Sequence, residues 1–245
     1  MSENSTHKSS SQVKNIPDSV IISPIYPDSV YFVVNAELGN ITEVKGKVEG
    51  FHTIAKNKHE IYFQRFVEKQ GQLRVIHAAG NSIETILEYG KEKSNMQVFN
   101  DTIRFDELGY FDGEPGDPVD LIPLYPGHSV KPGEYWTPEA PVKLAMGDGT
   151  AKYKFVIDSL YSDDQRSLLA HISVDVNAVL EPSPAFKAGR VTVSGGGWLI
   201  WDCTINQRRE THIEAVYHGV KGRNEVKQII TVNDKLKVYP CKKDF

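Results

Sequence analysis

Leu168-Leu169-Ala170-His171-Ile172-Ser173-Val174-Asp175-Val176 alternates without a break. Leu168, Ala170, Ile172, Val174 and Val176 fall on one side of an extended chain, and Leu169, His171, Ser173 and Asp175 on the other. Successive side chains of a strand point to opposite faces. The pattern is therefore that of an antiparallel sheet with one face on a core and one mostly in water.

Downstream, Val191–Val193 and Trp198–Thr204 read as strand, separated by Gly195-Gly196-Gly197. The triple glycine lacks the Lys-Ser/Thr of a phosphate loop, so a bulge or a close approach of backbones is its expected use. A turn near Ile205-Asn206-Gln207 leads into a strand from Arg209 to Tyr217. Asn233-Asp234 is the expected turn of a last hairpin between Gln228–Val232 and Lys235–Tyr239.

Upstream, the β-branched and aromatic run Val30-Tyr31-Phe32-Val33-Val34 suits a strand covered on both faces. Gly39-Asn40 is expected to turn into Ile41–Phe51. Gln70-Gly71-Gln72 should join His59–Glu68 to Leu73–Ala78 as a hairpin. Asn81-Ser82, with Ile83, Ile86, Leu87 and then Gly90, fits a short helix and a strand equally well. From 109 to 141 the chain carries Pro115, Pro118, Pro123, Pro126, Pro132, Pro138 and Pro141. Proline removes ladder donors, so this stretch is a connector between two β halves. Residues 1–17 hold almost nothing to bury and are expected to form a disordered arm.

The expected fold is all-β. Two antiparallel halves, about 18–108 and 142–240, form an open barrel or sandwich within one domain over 18–245, with at most one or two short helices. The 245 residues are 40% hydrophobic, enough for a core. A net charge of -4, without a long Lys/Arg run, argues against nucleic-acid binding. No stretch approaches the roughly 20 apolar residues of a membrane-spanning helix. No apolar signal region follows Met1, so the chain as written is expected in the cytoplasm, or in a secreted or periplasmic place if it is a trimmed mature form. Cys203 and Cys241 form no metal or redox motif, and two inert thiols are expected rather than a disulfide.

Candidate chemistry lies in three places. Glu210, His212, Glu214 and His218 share one face of a strand, and His212 and Glu214 with His171 are the candidate catalytic or metal-binding set. His212 and His218 are about 20 Å apart at the strand rise and cannot share an ion; polar residues on a solvated sheet face give the same pattern. Asp112, Glu114, Asp117 and Asp120 in the acidic connector are oxygen ligands of the kind calcium takes, at spacings that match no EF-hand. Trp136, Trp198, Trp201 and Tyr217 are the candidate binding aromatics, as a sugar platform or the lining of an apolar site. Trp198 and Trp201 must face opposite sides of a regular strand, which puts one of them in the core.

The segment Pro126-Gly127-His128-Ser129-Val130-Lys131-Pro132-Gly133-Glu134-Tyr135-Trp136-Thr137 resembles the connector of uncharacterised bacterial β-rich proteins, often lipoproteins, with the open-barrel layout of lipoprotein carriers. Phe105-Asp106 and Trp201-Asp202, two aromatic-Asp strand ends, fit the same layout. No lipobox cysteine precedes the β region, and the resemblance carries over no catalytic residue. It implies a non-catalytic binding or carrier protein, without a cofactor, that takes an apolar small molecule or a protein partner on the concave side of a curved sheet. A structural or self-assembling component and a carbohydrate-active enzyme are the alternatives.

Overall fold

The computed structural model describes residues 16–23, 30–46, 52–88, 91–105, 125–144, 147–164, 167–184 and 190–239. Its thirteen strands are β1 (Val20–Ile21), β2 (Val30–Gly46), β3 (His52–Gln70), β4 (Leu73–Glu88), β5 (Lys91–Phe105), β6 (Ser129–Val130), β7 (Tyr135–Trp136), β8 (Glu139–Leu144), β9 (Gly147–Ser162), β10 (Leu168–Pro182), β11 (Val191–Asp202), β12 (Gln207–Lys221) and β13 (Asn224–Tyr239). No helix occurs among the described residues, and the stretch that fits helix and strand equally is strand, within β4. None therefore meets the length and hydropathy of a membrane-spanning helix.

The fold is all-β, in two antiparallel halves, and the described strands do not close into a barrel. The long strands lie in the order β5-β4-β3-β2-β13-β12-β11-β10-β9, each half a meander, and β13 pairs β2 from Asn224↔Gly46 to Tyr239↔Tyr31. The first long strand and the last thus join the halves into one sheet. β1 and β6 form a separate two-stranded piece.

Two expected turns lie inside strands instead. Gly39 and Asn40 pair with Thr231 and Ile230, while Asn233 and Asp234 pair with Glu37 and Ala36. Local turn propensity loses here to a ladder that occupies both sides of each backbone. The hairpin that starts β13 is at Gly222-Arg223, between Lys221 and Asn224. Gly222 has φ 64°, a backbone that side chains other than glycine rarely adopt. The Gln70–Leu73 hairpin, with its turn at Gly71-Gln72, is where the sequence puts it.

The core sits on one face of β9–β12. Phe155, Ile157, Ala170, Ile172, Val174, Leu199, Trp201 and Ile213 form one buried cluster with Val20, Ile22, Val130, Trp136 and Ala140. The segment around β1 and the second part of the connector therefore cover this inner face. Connector backbone also bonds the outer edge of β9: Gly133 N donates to Ile157 O at 2.7 Å, and Tyr153 N to Pro138 O at 2.9 Å. Pro141, in β8, pairs with Thr150 at that edge, the position a sheet tolerates for proline. A second cluster joins Ala151, Val176, Ala178, Leu180, Val191, Val193, Ala215 and Val226.

The glycine triplet lies within β11. A Cβ at Gly195 or Gly197 would overlap the carbonyl oxygen of Glu214 or His212 on β12, and one at Gly196 would meet Val174 O on β10. The triplet lets three backbones approach more closely than side chains allow. Its neighbour β10 keeps the alternation of the sequence, with Ala170, Ile172, Val174 and Val176 buried and Asp175 exposed. Leu169, on the other face near the strand end, is buried too.

Ile172 is fully buried, whereas Ser173 is half-buried and outward. Ile172→Ala is expected to cost about 2–5 kcal/mol in denaturant unfolding, from lost transfer energy and a cavity. Ser173→Ala should cost about 1 kcal/mol, the worth of one surface hydrogen bond. Equal losses would contradict the register.

Candidate functional site

The outer face of β9–β13 gathers the polar candidates into a row. His171 and Ser173 on β10 share one carboxylate oxygen of Asp158 on β9: His171 Nδ1 lies 2.8 Å from Asp158 Oδ2, and Ser173 Oγ donates to it at 2.6 Å. A register irregularity at His171/Ile172 brings Asp158 to both. On β11, Trp198 stands opposite Ser173 on one side and His212 of β12 on the other. Its ring centre is 5.7 Å from that of His171 and 6.0 Å from that of His212. His212 Nδ1 lies 2.5 Å from Asn233 Oδ1 of β13, an amide oxygen that can only accept.

This arrangement limits the chemistry. Ser173 and His171 bond a common oxygen rather than each other, so the hydroxyl is held by the Asp158 carboxylate and not by an imidazole, unlike the serine of a Ser-His pair. His171 and His212 sit two strands apart, about 10 Å, on opposite sides of an indole, and do not converge on one ion. Glu214 stands opposite Gly196, on the exposed part of β12, away from His171. No group of three or more His, Cys, Asp or Glu side chains among the described residues is arranged to hold a metal. An imidazole flanks each side of Trp198, whose side chain is half-buried in the row.

The other binding aromatics are on the inner face. Trp136 and Trp201 are buried in the core, Trp136 stacked on Phe155 at 5.1 Å and Trp201 edge-on to Tyr125 at 5.9 Å. Tyr217 packs against the second cluster, and burial raises its phenol above the ordinary tyrosine range. The calcium candidates Asp112, Glu114, Asp117 and Asp120 lie outside the described residues, as do Cys241 and residues 1–15 of the arm.

The inner face itself is unevenly covered. On β12, Ile213 and Ala215 are buried; directly opposite on β13, Val232 and Ile230 are only half-buried. β13 is the central strand of the sheet, where an inner face is ordinarily best protected. Beyond it, Ile86, Phe99 and Ile103 of β4 and β5 are half-buried as well. Hydropathy alone does not find this boundary, because both sides of it are equally apolar in sequence.

The aromatic-Asp turn after β11 is structural. Asp202 is buried; its Oδ1 accepts from Thr204 N at 2.9 Å and Ile205 N at 3.3 Å, and its Oδ2 pairs with Arg209 Nε at 3.0 Å. These bonds close the turn around Asn206, at φ 50°. The neighbouring Cys203 is a free thiol, pushed up to about 12 by burial and then by the Asp202 carboxylate. In a Cys241→Ser background, Cys203 should resist alkylation at pH 8 in the native protein and react on unfolding. Rapid native labelling would contradict its burial.

No protein-family model matches the chain, and the search of curated proteins returns no significant match.

Proposed function

We propose that this chain is a non-catalytic binding or carrier protein that takes an apolar ligand, or the apolar side of a protein partner, on the inner face of its sheet. The observation that carries the reading is the step from β12 to β13. Ile213 lies in the cluster that the connector covers and Ala215 in the second cluster with Val226 of β13, while Val232 and Ile230, paired with Ile213 and Ala215 in turn, are only half-buried. Apolar surface left open in the middle of a sheet is favourable to cover. The same open-sheet layout is the one implied by the resemblance to lipoprotein-carrier-like proteins, which is an analogy of fold and not of chemistry. The enzyme reading has weaker support, since Trp198 stands between the two imidazoles it would need.

The native protein should bind an environment-sensitive apolar dye while its near-ultraviolet spectrum stays native-like, which excludes a molten state. Ile230→Glu should weaken that binding about tenfold by placing a charge on the open surface. Ile200→Glu, on the outer face of β11, should leave it unchanged. Absence of dye binding by the native protein, or equal effects of the two substitutions, would overturn the proposal.

A further inference from the structure

The sheet ends differently on its two sides. Along β9 the outer edge carries β7 and β8 with the connector prolines, a common way of blunting an edge. β5, at the other end, pairs with β4 and with no other described strand. It runs fifteen residues without Pro, Gly or a register shift against β4. Residues 91–98 are all exposed, with Met96 at 63% and Val98 at 80%. Such an edge presents a row of backbone donors and acceptors to whatever can pair with it.

The side chains of β5 point to a particular partner. Lys93 and Asp101 are on one face; Glu92, Met96, Val98 and Arg104 are on the other. Within the chain these charges face uncharged residues of β4: Lys93 faces Ile86, Asp101 faces Ala78, Glu92 faces Leu87 and Arg104 faces Val75. Each face thus has opposite charges at its two ends, and one face has its exposed apolar pair in the middle.

We infer that β5 pairs edge to edge with β5 of a second copy of this chain, antiparallel about a two-fold axis at Gln97. In that register Lys93 meets Asp101 of the second copy, and Asp101 meets its Lys93. Met96 and Val98, exposed in one chain, stand opposite each other twice. Glu92 and Arg104 become diagonal neighbours across the new ladder, within reach of long side chains. The pairing is isologous and closes on itself, giving a dimer and not a fibre. It uses a sheet edge far from the open inner face of β13 and is independent of the ligand proposed there.

The test is charge exchange, read by sedimentation velocity over a range of protein concentrations. The wild-type chain should show a concentration-dependent dimer. Lys93→Asp and Asp101→Lys should each weaken it about tenfold or more, because each sets two like-charge pairs opposite one another. The double variant should restore it, and a mixture of the two single variants should form the heterodimer. All four positions that meet are solvent-exposed, so circular dichroism should report an unchanged fold in every variant. A wild-type chain that stays monomeric at high concentration would overturn the inference. So would a dimer indifferent to both single substitutions, or one that the double variant fails to restore.

Discussion

The ladder between β2 and β13 is the constraint on which the rest of the structure depends. It pairs residues 31–46 with residues 224–239, almost two hundred positions apart, and joins two meanders whose other long-strand pairings are sequential hairpins. Closing so long a loop costs entropy that only the completed ladder and the faces it aligns can offset. It also sets direction. With β13 held at β2, β12 to β9 extend on one side and β3 to β5 on the other, and the inner face of each half becomes continuous with that of its neighbour.

That continuity makes the unequal coverage meaningful. The connector and the β1 segment lie over β9–β12, fill the core around Trp201 and Phe155, and cap the β9 edge. In the other half, the buried apolar residues of the described strands gather at one end, at Val67, Val75, Ile76 and Phe105. Core, half-buried surface and an exposed edge strand therefore follow one another along a single sheet. The outer row from Asp158 to Asn233 is tied internally, each imidazole to a polar partner and the indole between them. These contacts link the neighbouring strands from β9 to β13 across the outer face.

Much of this is legible in the sequence because period two is strict where one face is buried. Leu168–Val176 alternates as β10 does, and Pro126, Pro132, Pro138 and Pro141 fall in the described part of the connector, which covers the core and the β9 edge. Asn40 and Asn233 mislead because turn propensity is a local quantity, whereas long central strands draw backbone partners from both sides. The partner of His171 is harder to see. Tyr153, Phe155 and Ile157 turn inward in alternation, which sends Asp158 outward, but the shift at Ile172 that brings it to both His171 and Ser173 is a property of the paired strands. Trp136 and Trp201 are both buried in the core. Nothing in their own segments records what packs above them.

Native-state hydrogen exchange on the backbone amides of 30–46 and 224–239 tests the central ladder most directly. If the halves form one sheet through this ladder, those amides exchange only through the same large opening that exposes β10 and β11, and with the same free energy. Rapid exchange across β2 and β13 while β10 and β11 stay protected would mean that the halves fold apart, and would contradict the account.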